Sequence, residues 1–368
     1  MANNAQNQYM PDFVSHPGDT LLETLEAIGM TQVDLAERTG RPTKTINKII
    51  HGKTAITPET ALQLERVLGT PARFWINRER YYRESLARAQ EREELQGQVD
   101  WLKNIPVKAM NNLGWISAFE NKVDQLVEVI QYFGVSSPAQ WESLWMGEDV
   151  SFRQSPSFES EPGAVSAWLR RGELVARDTD CRPYNETGFR EALTVIRSLT
   201  TLPPQEFIPA MREICAEVGV VVALVPELPK TITSGATRWL SPDKALIQLS
   251  LRYKRDDQFW FTFFHEAGHI LLHGKRDVFI EEEKVENGKE EEANQFSANF
   301  LIPAKEYAQF MPIGRHYSQE DVLDFASQIG IAPGIVVGRL QKDKKIRYSH
   351  LNGLKLPLSW ENMGEISA

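Results

Sequence analysis

The sequence predicts a multidomain, mainly α-helical protein, with an all-α bundle near the N-terminus and an α+β domain at the C-terminus. Three observations carry this. Residues 16–90 repeat apolar side chains at helical spacing between glycine and proline stops. Helical patterns then continue, with loop clusters such as Ser155-Pro156-Ser157, to about residue 204. Beyond that, Val218, Val220, Val221, Val222, Leu224 and Val225 form a β-branched run that reads as a buried strand, and Lys244 to Ser250 reads as a second strand. The expected divisions are a frayed segment 1–15, a helical bundle 16–90, a helical connector 91–204 and an α+β domain 205–368.

With 368 residues, 42% of them apolar, each part can bury a core. No run approaches the ~20 apolar residues that span a bilayer. The first residues have neither a basic flank nor an apolar stretch. Cys181 and Cys215 lie far apart without metal-type spacing and read as reduced thiols. Together these features predict a cytoplasmic protein without a membrane partner. The net charge of -9 is unevenly placed. Residues 1–90 hold 11 Lys+Arg against 10 Asp+Glu, and the remainder holds 30 against 40. The acidity therefore does not exclude nucleic-acid binding by the first domain.

Within that domain, Thr31 is placed to cap a helix with Val33, Leu35 and Ala36 on its apolar face. Gly40 ends it at a sharp turn. The next helix opens at Pro42 or Thr43 and turns Ile46, Ile49 and Ile50 inward. That leaves Thr43, Lys44, Thr45, Asn47 and Lys48 on a polar face, with Gln32 nearby, residue types that read base edges or grip phosphates. A further helix, Pro58 to Leu68, repeats the apolar spacing with Ala61, Leu62, Leu64 and Val67. From His16-Pro17-Gly18 through LAERTGRPTKTINKIIHG to Phe74-Trp75, the chain resembles the HigA-type antitoxins of the XRE helix-turn-helix superfamily. The resemblance implies a repressor-like helical fold, dimeric, binding palindromic operators in double-stranded DNA.

In the C-terminal domain, FWFTFFHEAGHILLHG sets His265 and His269 four residues apart on one helical face, able to reach one ion. Apolar Phe264, Ala267, Ile270, Leu271 and Leu272 predict a buried helix, in which Zn2+ would satisfy both imidazoles. Glu266 stands where it could take a proton from a bound water. A catalytic zinc needs a third protein ligand, and Glu290 and Asn294 share a face of a downstream apolar helix ending before Pro303. Glu290 can ligate while Asn294 hydrogen-bonds a ligand histidine.

FTFFHEAGHILLH and EEEANQFSANFLIP, over roughly residues 210–345, resemble the ImmA/IrrE (M78) metallopeptidases. The resemblance implies a zincin-like fold with His265, His269 and Glu290 on zinc and Glu266 as general base, with Glu292 the alternative third ligand because the acidic run leaves the register open. Ser297 stands where that family usually has alanine. The resemblance also suggests that Leu246 to Leu251 could be an edge strand that pairs with substrate.

Three smaller features read as structure. His273 is expected to bond backbone at a helix end rather than ligate. Ile331 to Leu340 is expected to pack as core. Ser234 to Trp239 is expected to be a loop beside the metal-site strand. The function expected is a homodimeric DNA-binding regulator, antitoxin-like or stress-responsive, with a zinc endopeptidase domain that cleaves a regulatory protein such as a repressor or toxin. One rival is a non-proteolytic antitoxin or repressor whose metal domain is structural or sensory. A second is a protease whose N-terminal domain binds protein.

Overall fold

The computed structural model describes residues 14–146, 161–274, 279–280, 288–311 and 316–363. The chain divides into two compact units, Met1–Gln98 and Val99–Ala368. Most of the segment expected to fray, residues 1–13, lies outside the described residues.

The first unit holds five helices: α1 (Pro17–Ala27), α2 (Gln32–Thr39), α3 (Thr43–Ile50), α4 (Pro58–Leu68) and α5 (Ala72–Gln96). The start of α2 and its stop have local causes. Thr31 and Asp34 form a reciprocal capping box at α2, with Asp34 N donating to Thr31 Oγ1 at 3.1 Å and Thr31 N donating to Asp34 Oδ2 at 3.0 Å. Gly40 then takes a left-handed conformation, φ 69°, which a side chain would resist, and the chain turns into α3. Leu21, Leu25, Leu35, Ile46, Ile49, Leu64 and Trp75 close one core. Val33 and Leu62, expected on apolar faces, are instead 52% and 46% exposed. Each lies next to residues of the buried stripe of its helix without belonging to it.

In the second unit, α6 (Val107–Asn112), α7 (Lys122–Phe133), α8 (Pro138–Met146), α9 (Pro162–Asp178), α10 (Glu186–Ser198) and α11 (Pro204–Ala216) precede the sheet. Strands β1 (Val220–Leu224), β2 (Gly235–Ser241), β3 (Lys244–Leu249) and β4 (Phe279–Ile280) follow the order β1-β3-β2-β4. β1 runs parallel to β3, and β2 is antiparallel to both β3 and β4. Two expectations are corrected here. Ser234 to Trp239 is largely strand rather than loop, because Gly235 through Trp239 pair with β3. The expected substrate edge at Leu246 to Leu251 is not an edge. β3 is paired on both sides, and the outer side of β2 is met by β4 at Ala236 and Thr237.

Side-chain alternation places helices on both faces of this sheet. Val220, Val222, Leu224, Ile247 and Leu249 face the main core with α11 and helix α12 (Asp256–Leu272). On the other face, Gln248 Nε2 donates to Trp168 O at 2.7 Å and Trp168 Nε1 to Val225 O at 3.0 Å, which fastens α9 to the sheet. The expected boundaries at 90 and 204 therefore differ from the observed division. Residues from 99 onward belong to the second unit, since α9 supplies one cover of its sheet.

Helices α13 (Gly288–Leu301), α14 (Ala304–Phe310), α15 (Gln319–Ile329) and α16 (Pro333–Lys342) complete the unit. Arg197 on α10 donates to Phe300 O, Leu301 O and Ile329 O at 2.8–3.0 Å, closing the C-terminal ends of α13 and α15 together. Residues of α16, Ile335, Val336, Val337 and Leu340, are buried in the core as expected. The cysteines are free. No single helix among the described residues is long and apolar enough to cross a membrane.

Helix α12 opens on two acids, Asp256 and Asp257, each 3% exposed. Asp256 Oδ1 accepts from Asp257 N and Leu356 N at 2.9 Å, and Lys355 Nζ reaches Asp257 Oδ2 at 2.6 Å. A C-terminal strand-like segment is held here, with Asp256 N donating to Leu356 O at 3.0 Å and Leu358 N to Lys254 O at 3.0 Å. Burial, then repulsion from Asp257, pushes the Asp256 carboxyl up to about 7 against the pull of the two backbone N–H groups and Lys355. The folded chain thus holds this proton more tightly than the unfolded chain, whose carboxyl titrates near pH ~4. Its contribution to stability is full below about pH 4 and is lost as pH rises to about 7. Asp256→Asn keeps the acceptor and removes the charge. Its stability relative to wild type, measured by chemical unfolding, should therefore be higher at about pH 7.5 than at about pH 4.5. An equal difference at both pH values would refute this.

Candidate functional site

His265, Glu266 and His269 lie midway along α12, at 1%, 0% and 2% exposure. The helix is buried because nearly every residue from Phe259 to Ile270 meets the sheet, α13 or α16. Leu272, expected to surround the site, is 44% exposed at the helix end.

Helix α13 buries Glu290, Ala293, Ser297 and Leu301, the i, i+3, i+7, i+11 stripe of one face. That face meets α12 closely. A Cβ on Gly268 would sit 3.1 Å from Phe296 Cδ1 and 3.4 Å from Ala293 Cα. Ser297 Oγ donates to Phe261 O at 2.8 Å, so the serine adds an interhelical hydrogen bond that alanine could not make. This packing delivers Glu290. Its Oε2 lies 3.1 Å from His265 Nε2 and its Oε1 3.4 Å from His269 Nε2, while the two Nε2 atoms are 3.0 Å apart.

These three residues are the group among the described residues that could hold a metal ion. The donor set fits a zinc-type cation. Bonds of about 2.0–2.1 Å in a tetrahedron separate neighbouring ligand atoms by about 3.3 Å. The backs of both rings are engaged as well, which leaves the Nε2 atoms inward. His265 Nδ1 meets Asn294 Oδ1 at 3.1 Å, and His269 Nδ1 meets His273 Nδ1 at 2.9 Å. Burial holds His269 below the ordinary imidazole range against the opposing pull of Glu290, which favours the neutral, ligating form. For Glu290, burial pushes upward, but hydrogen bonds and charge from His265 and His269 outweigh it and hold the carboxyl at about 2.

Glu266 faces β2. Thr237 Oγ1 donates to Glu266 O at 3.1 Å, and a Cβ on Gly235 would fall 2.6 Å from Glu266 Oε1. The start of β2 is thus cut away to seat this carboxylate. Glu292 does not reach the ligand cluster and instead meets His273 Nε2 at 3.2 Å. His273 caps α12 through its backbone N–H to His269 O, as expected, but its ring meeting that of His269 has no signature in the sequence. Gly235 has none either, since its surroundings look like a loop until β2 pairs with β3.

In the first unit, α3 presents Thr43, Lys44, Asn47 and Lys48 to solvent, while Thr45 and Gln32 are half-buried. Asn47 Nδ2 approaches Gln32 Oε1 at 3.4 Å, linking the polar face of α3 to the start of α2.

Comparison with known proteins agrees with both units. Residues 21–75 match the helix-turn-helix family HTH_3, and residues 221–341 match the IrrE N-terminal-like domain, Peptidase_M78. The chain joins a helix-turn-helix domain to an M78 peptidase-type domain. Over 61 residues it is 31% identical to the uncharacterized HTH-type transcriptional regulator YddM of Escherichia coli (strain K12), a match covering 17% of this chain and 65% of that protein. The chain therefore spans less than two thirds of that relative. Two solved structures are similar to 23% of the chain. One is an addiction module antidote protein of a HigA family from Coxiella burnetii, with 30% identity, 92% of that chain covered and a TM-score of 0.22. The other is a putative antidote protein of a plasmid maintenance system from Nostoc punctiforme, with 28% identity, 91% covered and a TM-score of 0.22.

The seat of Glu266 can be tested apart from the ligands. In Gly235→Ala the new methyl would fall 2.6 Å from Glu266 Oε1 and from Cγ2 of buried Thr262, so the Glu266 side chain must shift to admit it. If the M78-type domain binds metal and hydrolyses peptides, metal uptake should stay at the wild-type level while cleavage of a quenched-fluorescent peptide library falls about tenfold or more. Loss of metal together with activity would show that Gly235 supports the whole site rather than the carboxylate.

Proposed function

We propose that the protein is a DNA-binding transcriptional regulator carrying a zinc-dependent endopeptidase that cleaves a regulatory protein. The observation that carries the peptidase reading is the convergence of His265, His269 and Glu290 from two helices, with buried Glu266 beside them on α12. Zinc, when bound, supplies a Lewis acid that polarises a peptide carbonyl and lowers the pKa of water. His265, His269 and Glu290 would hold the ion, and Asn294 would orient His265. Glu266 accepts one proton of the attacking water as its oxygen bonds the carbonyl carbon. It then delivers that proton to the leaving nitrogen as the C–N bond breaks. A purely structural ion would need no carboxylate at this position, which favours the enzyme over a structural or sensory metal domain.

The DNA-binding reading rests on the exposed face of α3. Lys44 and Lys48 are placed for phosphates, and Thr43, Thr45, Asn47 and Gln32 for base edges or for positioning one another. A cytoplasmic homodimer on a palindromic operator fits this architecture, since two half-sites double the interface. The protein cleaved under this reading is a regulatory one, such as a repressor or toxin.

Two sets of variants test these assignments. His265→Ala and Glu290→Ala should lose zinc by elemental analysis. Glu266→Gln should keep zinc and lose about two or more orders of magnitude of peptide cleavage. A Glu266→Gln protein as active as wild type would rule out this mechanism. For DNA, Lys44→Ala/Lys48→Ala should weaken operator binding and reduce the slope of log K against log salt by about 0.9 for each phosphate no longer neutralised. Unchanged affinity and slope would remove α3 from the interface.

A further inference from the structure

The ring of His269 is backed by an unusual partner. His265 meets the amide of Asn294, but His269 Nδ1 meets a second imidazole, His273 Nδ1, at 2.9 Å. His273 Nε2 in turn lies 3.2 Å from Glu292 Oε2. The His273 side chain is 3% exposed and that of Glu292 is 66% exposed, so the series of hydrogen-bonding groups runs from the buried cluster to the surface.

We propose that His273 and Glu292 are positioning residues that set the tautomer and orientation of His269 for metal binding. This rests on the proposed holding of a cation by His265, His269 and Glu290. The placement of protons supports it. A neutral imidazole carries one N–H and one lone pair. If His269 ligates through Nε2, its lone pair points inward and its proton sits on Nδ1. That N–H donates to His273 Nδ1, which must then offer a lone pair. The one proton of His273 therefore sits on Nε2, facing the Glu292 carboxylate, an acceptor only. In this direction every donor meets an acceptor. In the reverse direction His273 Nε2 would present a lone pair to the carboxylate, and His269 would point N–H at the ion. With both rings neutral, an ion at one end and the Glu292 carboxylate at the other favour the same arrangement. Helix α13 carries both the third donor of the cluster, Glu290, and the two groups behind the histidines, Asn294 at His265 and Glu292 at His269 by way of His273.

If His273 merely terminates α12, its partner Glu292 should not matter to the metal. The relay requires that Glu292 act only through His273. The experiment uses the full chain, with zinc affinity measured by competition with a chromogenic chelator. His273→Phe should weaken zinc binding by about 10–100-fold. Glu292→Gln should weaken it in the same direction by less. The double variant should be no weaker than His273→Phe alone, a coupling that independent sites would not show. On the zinc-loaded wild type, long-range 1H–15N spectra of the imidazoles should show His273 protonated at Nε2 and bare at Nδ1, which requires no variant to fold. A His273 protonated at Nδ1, or effects that simply add in the double variant, would overturn the relay while leaving the metal site standing. A wild-type protein that takes up no zinc would overturn both.

Discussion

Helices α12 and α13 approach closely because Gly268 presents no side chain to Ala293 and Phe296. The candidate site depends on that approach. Two histidines on one helix can face the same point, but a third donor must come from elsewhere in the chain, and its carboxylate must reach Nε2 atoms that lie against the core. The Ser297 hydroxyl tied to Phe261 O and the Arg197 guanidinium on the last carbonyls of α13 hold that helix at both levels. The carboxylate, its neighbour Asn294 and the outer Glu292 all ride on the same helix, so its position along α12 sets the whole group at once.

The electrostatics follow from burial. A carboxylate at the Glu290 position would be costly without partners, and the two imidazoles that face it offset that cost strongly enough to keep it ionised. At the other end of α12 the balance goes the opposite way. Asp256 and Asp257 crowd each other, with Lys355 as their cation, and Asp256 retains its proton to far higher pH than an exposed carboxyl. One helix therefore faces a buried carboxylate that favours charge near its middle and carries a buried acid at its start that resists it. The C-terminal segment at 355–358 is what covers that start.

The helix-turn-helix unit is built from more local devices. The Thr31/Asp34 capping box, the left-handed Gly40 and the isoleucines of α3 each act within a few residues, and together they leave the polar face of α3 outward. This is why its surface is legible from spacing: on a short amphipathic helix, whatever is not buried is presented.

Amino-acid order alone was enough for the two domain types, the helical turn that pairs His265 with His269, the positions of Glu290 and Asn294 on one face, and the exposed side of α3. All of these follow from the 3.6-residue period, glycine and proline stops, and the two motifs around His265 and Glu290. Long-range packing settled what periodicity cannot encode. β3 became a central strand and not an edge because β1 and β2 both found it, and the stretch from Gly235 became strand because pairing with β3 overrode its turn-like composition. Residues of the expected connector became one cover of the sheet once Trp168 met Val225. Which of Glu290 and Glu292 meets the paired histidines is a matter of how each side chain projects from α13, and only the packing of α13 on α12 sends Glu290 to His265 and His269 and leaves Glu292 to His273.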